Sequence, residues 1–250
     1  MNNLYSYIIS KKAEGLKQLA VLIDPDKINH RLIELAEKNG VDHILIGGSI
    51  ITENNLTTCI QEIKKRCSIP VTIFPGSYLQ LSNEADALLL LSLISGRNPE
   101  LLIGNHVMAA QSLRKSNVEI IPTGYILIDG GESTAVQYMS NTMPIPANKP
   151  EIAVATAIAG ELLGLKLIYL EAGSGALQPV NERIIKSVRN AIDLPLIVGG
   201  GINNSAKVKT ALSAGADMIV IGNALEQNEN DIIEFAEIVR KMNQQQHIEK

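Results

Sequence analysis

The chain has 250 residues, of which 46% are hydrophobic and 19% charged, with a formal net charge of −4 and a pI near 5.6. That composition belongs to a globular protein in water, and it lacks the basic excess on which nucleic-acid binding rests. A single domain is expected, because this length buries one large core and is also the ordinary length of one eight-fold βα barrel.

In chain order, "LYSYIISKKAEG" reads as an extra N-terminal helix, placed over the barrel bottom. A first apolar run, "QLAVLI" (18–23), ends in "DPDK". Asp24 is its first polar residue, and Pro25 cannot sit inside a strand, so the carboxylate stands at the strand's rim. Asp26 would cap the following helix. The second run, "HILIG" (43–47), leads to the hydroxyl of Ser49 at the neighbouring rim position. A carboxylate and a hydroxyl side by side suit Mg2+, which takes few protein ligands and completes its shell with water and phosphate oxygens; simple capping is the other reading of each.

Cys59 and Cys67, the only cysteines, form no pair of metal-ligand or redox type, and with no secretory leader in view the chain reads as cytoplasmic. "PVTIF" (70–74) and "ALLLLSLI" (87–94) are the third and fourth runs, the latter far short of the roughly 20 residues that span a bilayer. "IFPGSYLQL" and the fourth run supply apolar mouth candidates in Phe74, Tyr78 and Leu93, which also read as plain core. Next, "ISGRNPELLIGNHV" offers Arg97, as a phosphate clamp or a solvated helix-start residue, together with Asn98 and His106. The histidines show no metal spacing.

"EIIPTGYILI" (119–128) is the fifth run. The polar, proline-containing segment 129–149 after it is too long for an ordinary βα loop and reads as a lid over the catalytic mouth. The sixth run, "LKLIYLE" (165–171), ends with Tyr169 and Glu171 two apart and so on one side of the strand; if that side is the interior, a phenol and a carboxylate stand together. "PLIVGG" (195–200) continues into "VGGGINN", and "DMIVIGN" (217–223) into "GNALE". The tail from 243 to 250 reads as frayed.

These eight runs are short, rich in Ile, Val and Leu, and not alternating, as strands covered on both faces are. With amphipathic helical stretches between them, they predict a closed α/β (βα)8 barrel of TIM type. Small residues converge after strands six ("YLEAGSGA"), seven and eight, where such barrels bind phosphate. Gly200, Gly201, Gly222 and Asn223 are therefore expected to cradle a phosphate group.

"LIDPDK", "IGGS", "ISGRNPELLIGNHV", "YLEAGSGA", "VGGGI" and "IGNALE", in this order and spacing, resemble the geranylgeranylglyceryl phosphate synthases, in the group shared by archaea and some bacteria, over essentially the whole chain. The resemblance implies a modified TIM barrel forming a single prenyltransferase domain, 1–250. It joins sn-glycerol 1-phosphate to a prenyl diphosphate, geranylgeranyl diphosphate first, with Mg2+, in archaeal-type ether lipid synthesis. It makes Asp24 and Ser49 the Mg2+ ligands, although Thr is also common at the second position. Tyr169, Leu170, Glu171, Ala172, Gly173, Ser174 and Gly175 would hold the glycerol phosphate with Gly200, Gly201, Gly222 and Asn223, and Glu171 and Tyr169 would be catalytic. It also implies a homo-oligomer, dimer or hexamer, and at most peripheral contact with membranes. Competing readings are another phosphate-binding barrel enzyme, an isomerase or an aldolase, and a barrel that binds prenyl or phosphate ligands without turnover. Against an aldolase, Lys166, the one lysine of strand six, precedes the apolar run instead of following it.

Overall fold

The computed structural model describes residues 3–53 and 55–248. Eight parallel strands close in sequence order: β1 (Gln18–Ile23), β2 (His43–Ile46), β3 (Val71–Ile73), β4 (Ala87–Leu93), β5 (Glu119–Leu127), β6 (Leu167–Glu171), β7 (Leu196–Gly199) and β8 (Met218–Ile221), with β8 pairing back onto β1. Each run is apolar on both sides because alternate residues enter two different cores. In β6, Leu167 and Tyr169 join the barrel interior, while Ile168 and Leu170 pack outward against the helices.

The N-terminal helix α1 (Leu4–Ala13) covers the barrel bottom, as expected. Leu4 and Ile8 enter the interior cluster, and the N–H groups of Leu4 and Tyr5 donate to the Glu119 carboxylate at 2.6 and 3.1 Å. A carboxylate at a helix N-terminus is favourably placed against the helix dipole.

The surrounding helices are α2 (His30–Asn39), α3 (Leu56–Lys64), α4 (Asn105–Lys115), α5 (Ala135–Ser140), α6 (Pro150–Leu162), α7 (Glu182–Arg189), α8 (Ser205–Ser213), α9 (Asn223–Gln227) and α10 (Asp231–Ile248). Asn29, Asn181 and Asn204 cap α2, α7 and α8, accepting from Leu32, Ile184 and Lys207. Among the described residues no helix is long and apolar enough to cross a membrane.

Two expectations need correction. The strict strand–helix alternation fails once: residues 74–86 join β3 to β4 without a helix. Pro75, Gly76, Ser77 and the Ser82–Asn83 pair supply turn chemistry there, and no amphipathic period competes with it. Nor is the tail frayed from 243, because α10 continues to Ile248. Asn243 accepts from the Lys17 N–H at 2.7 Å and donates to its carbonyl at 2.9 Å, tying the helix to the entry of β1. Residues 249 and 250 lie outside the described ones.

Segment 129–149 is anchored. Ile145 bridges to Ile128, and the six-residue α5 lies between, bringing Ala135, Val136 and Met139 to the mouth of the barrel.

Candidate active site

A cavity of about 820 Å³ opens at the C-terminal ends of the strands. Its glycine-rich side is built by the loops after β6, β7 and β8. Ser174 and Asn223 tie the first loop to the last through a 2.5 Å hydrogen bond from the hydroxyl to the amide oxygen. The N–H groups of Ser174, Gly175, Gly200 and Gly201 donate to no other group among the described residues, so amides are left for an anion.

Why glycine occupies three successive positions, 199 to 201, has an answer within the protein itself. A Cβ on Gly199 would fall on the Tyr169 hydroxyl and 2.9 Å from Glu171 Oε2. One on Gly200 would fall on Glu171 Oε1 and 2.6 Å from the Gly173 nitrogen, and one on Gly201 would meet the backbone of Gln178 and Pro179 at 2.8–2.9 Å. Gly200 and Gly201 also have φ of +80° and +68°, which favour glycine. The groups pressed against these glycines are therefore the protein's own: the Tyr169 hydroxyl, the Glu171 carboxylate and the backbone of Gln178 and Pro179.

Glu171 is buried, and its Oε1 accepts from the Gly173 N–H at 2.7 Å. Burial pushes its carboxyl up to about 7, with the Gly173 N–H and the nearby Tyr169 hydroxyl pulling the other way. Tyr169 itself is held well above the usual phenol range by burial and by the charge of Glu171. Its hydroxyl lies beside the carboxyl but has no aligned hydrogen-bond partner among the described residues. Phe74 stacks on Tyr169 at 5.2 Å, and Tyr125 meets both rings edge-on at 5.4 and 5.7 Å. In a chain with only 3% aromatic residues, three rings converge beside this one carboxylate.

Asp24 and Ser49 line the cavity after β1 and β2, beside the β8 loop because β1 pairs with β8. Asp24 faces the cavity and also accepts from the Asp26 N–H at 3.0 Å, which caps a short 3-10 turn. Asp26 instead binds the loop after β2, accepting from the N–H and hydroxyl of Thr52 at 2.7 and 2.8 Å. Glu226 adds a third carboxylate at the rim, where Lys27 links it to Asp24 at 3.1 and 3.7 Å.

Tyr169, Glu171, Ser174, Gly175, Gly200, Gly201, Gly222 and Asn223 all line this cavity with Asp24 and Ser49. Leu170, Ala172 and Gly173 do not. Leu170 and Ala172 pack against the helices, and Gly173 contributes through its N–H to Glu171. Arg97 also lies off the cavity wall, its guanidinium donating to the Gly96 carbonyl at 2.7 Å. Phe74, Tyr78 and Leu93 line the cavity, and Leu88, Leu101 and Leu113 extend the apolar side.

Sequence reasoning missed Tyr125 and Gln80, and it set His106 aside. Tyr125 was detectable, since it lies two residues before Leu127 on the inward face and pairs in register with Tyr169. His106 enters the wall because a π-helical turn, Glu100–Gly104, precedes α4, and no sequence period announces such a turn. Its Nε2 faces the Ser92 hydroxyl at 3.1 Å, and burial lowers its basicity.

The PcrB family model matches residues 12–241. The geranylgeranylglyceryl phosphate synthase of Chitinophaga pinensis is 51% identical over 242 residues, covering 95% of this chain and 96% of its own. That of Pyrococcus horikoshii is 42% identical, covering 88% and 87%. The crystal structure of (S)-3-O-geranylgeranylglyceryl phosphate synthase from Thermoplasma acidophilum in complex with sn-glycerol-1-phosphate superposes with a TM-score of 0.91 at 33% identity, covering 96% of this chain and 100% of that one.

Proposed function

The chain belongs to the PcrB family, and on that premise we propose that it is a geranylgeranylglyceryl phosphate synthase, transferring a prenyl group to the 3-hydroxyl of sn-glycerol 1-phosphate. The observation that carries this reading is the pairing of a buried carboxylate, Glu171, with an anion cradle of glycine amides on the loops after β6, β7 and β8. Phosphate on the amides of Gly175, Gly200 and Gly201 would leave the glycerol backbone beside Glu171 and Tyr169.

In the reaction the bond between prenyl C1 and the diphosphate oxygen breaks, and a bond forms between C1 and the glycerol oxygen. The hydroxyl proton leaves to Glu171, whose pKa, raised by burial to about 7, suits it to accept a proton at neutral pH. The rings of Phe74, Tyr125 and Tyr169 exclude water from the reacting centre, and the aliphatic wall from Leu88 to Leu113 accepts the hydrocarbon.

The cavity contains three carboxylates and, among the described residues, no lysine or arginine in its wall. Two phosphorylated substrates in such a site require a cation. Among the described residues no three His, Cys, Asp or Glu side chains come close enough together to hold a metal ion, so an all-protein cage is absent there. Asp24 with the Ser49 hydroxyl fits Mg2+, which keeps few protein ligands and takes the rest from substrate and water. Those two residues would hold it, and when bound it supplies charge neutralisation for the diphosphate.

The test is transfer of radiolabel from sn-glycerol 1-phosphate into an organic-extractable ether lipid, with C10, C15, C20 and C35 diphosphates in parallel and with and without EDTA. Transfer abolished by EDTA is expected. No transfer at any chain length would refute the reading.

A further inference from the structure

The loop that replaces a helix after β3 interlocks with the loop after β2 so closely that Gly47 and Gly76 have no room for side chains. A Cβ on Gly47 would fall on the Phe74 carbonyl oxygen and 2.8 Å from its carbon, and one on Gly76 would fall on the Gly48 carbonyl and 2.9 Å from Ser49 Cα. Gln80 uses both ends of its amide, one across the seam and one within its own loop. Its Nε2 donates to the Gly48 carbonyl at 3.2 Å, and its Oε1 accepts from the Gly76 N–H at 2.9 Å. Gly48 immediately precedes Ser49, and the Asp24 carboxylate lies 3.8 Å from where a Gly48 Cβ would stand.

We propose that Gln80 is a positioning residue for the prenyl diphosphate half of the site: its amide clasps the two loops so that Ser49 faces Asp24. This rests on the synthase reading above. The glycerol phosphate half is built from the β6, β7 and β8 loops, which Gln80 does not touch, so the clasp acts on one substrate only. The amide's two ends are not interchangeable. A carboxylate there would keep the acceptor for Gly76 but set its second oxygen against the Gly48 carbonyl, and a thioether of the same length would fill the space and make neither bond.

The experiment compares wild type with Gln80→Met and Gln80→Glu in steady-state transfer from geranylgeranyl diphosphate. It also measures calorimetric binding of sn-glycerol 1-phosphate and amide hydrogen exchange over residues 46–53. Removing groups that orient ligand-bearing residues typically costs about ten- to a hundred-fold. The expected result for both variants is a rise in KM for the prenyl diphosphate of about tenfold or more, faster exchange at 48–50, and glycerol phosphate affinity within about twofold of wild type. A role in packing alone predicts that Gln80→Met behaves as wild type, and that outcome overturns the proposal. Equal loss of affinity for both substrates overturns it too. Inactive wild type that still binds glycerol phosphate would instead count against the synthase reading, and unchanged exchange at 48–50 in Gln80→Met would then still sink the clasp.

Discussion

Gly199→Ala isolates the contact between β6 and β7 from any backbone effect, because Gly199 is an ordinary strand residue outside the left-handed region. Its new methyl would land on the Tyr169 hydroxyl, 3.0 Å from Tyr169 Cε1 and 2.9 Å from Glu171 Oε2. Neither neighbour yields easily. The Tyr169 ring is fully buried between Phe74 and Tyr125, and Glu171 is held by the Gly173 N–H. Forcing an extra carbon into a packed interior costs about 1–3 kcal/mol, and in a chain of this size each kcal/mol lowers Tm by roughly 2–4 °C. Tyr169→Phe removes the atom that the methyl strikes. Because that hydroxyl is buried without an aligned partner, its loss alone should leave stability equal or slightly higher. Urea unfolding of the two single variants and the double variant should therefore show a favourable coupling of about 1 kcal/mol or more. If Gly199→Ala is as stable as wild type, or if Tyr169→Phe relieves nothing, the packing of tyrosine and carboxylate over Gly199 is wrong.

Three further outcomes are expected. Burial raises the Glu171 carboxyl from 4.5 to about 7; the folded protein thus holds a proton there that the unfolded chain has lost, and stability falls as pH rises through that window and levels off above it. Glu171→Gln should therefore gain stability relative to wild type between pH 4.5 and 7.5, by of order 3 kcal/mol at about 1.4 kcal/mol for each pH unit; a pH-independent difference in denaturant midpoints would contradict the burial. Asp24→Ala should lower transfer at least about a hundredfold while leaving sn-glycerol 1-phosphate binding nearly intact, since none of the cradle amides comes from the Asp24 loop; calorimetry showing a parallel loss of both would reject the division of the site. Asn243→Ala removes both hydrogen bonds to the Lys17 backbone and should cost about 1–2 kcal/mol, with faster hydrogen exchange at the end of α10; unchanged exchange would mean the helix end is held by other contacts.

The barrel was legible because the strands lie within apolar runs, rich in Ile, Val and Leu and covered on both faces, that recur between helical stretches. Tyr169 and Glu171 were legible for the same reason, as two polar residues on one face of a buried strand. The absent helix after β3 was harder to see, since Pro75 and Gly76 mark a turn but do not reveal that the whole of 74–86 stays irregular. The glycines of 199–201 pointed to a close approach, but the closest groups to Gly199 and Gly200 are the protein's own Tyr169 hydroxyl and Glu171 carboxylate, which depends on how β6 and β7 pair. Leu170 and Ala172 sit within the motif that carries the resemblance, yet their side chains point to the helices because strand alternation continues through it. His106 and Gln80 reach the cavity by a π-helical turn and an irregular loop, neither of which leaves a period in the sequence.

The most direct measurement pairs transfer with binding in Glu171→Gln: label from sn-glycerol 1-phosphate into ether lipid at saturating geranylgeranyl diphosphate and Mg2+, and calorimetric affinity for sn-glycerol 1-phosphate in the same preparations. Glutamine keeps the size of the side chain and an acceptor for the Gly173 N–H, but it cannot take the hydroxyl proton. The expected result is glycerol phosphate affinity within about tenfold of wild type and transfer lowered by about a hundredfold or more, in keeping with the loss of a general base. Transfer at the wild-type rate in Glu171→Gln would contradict the assignment of that carboxylate to the chemistry.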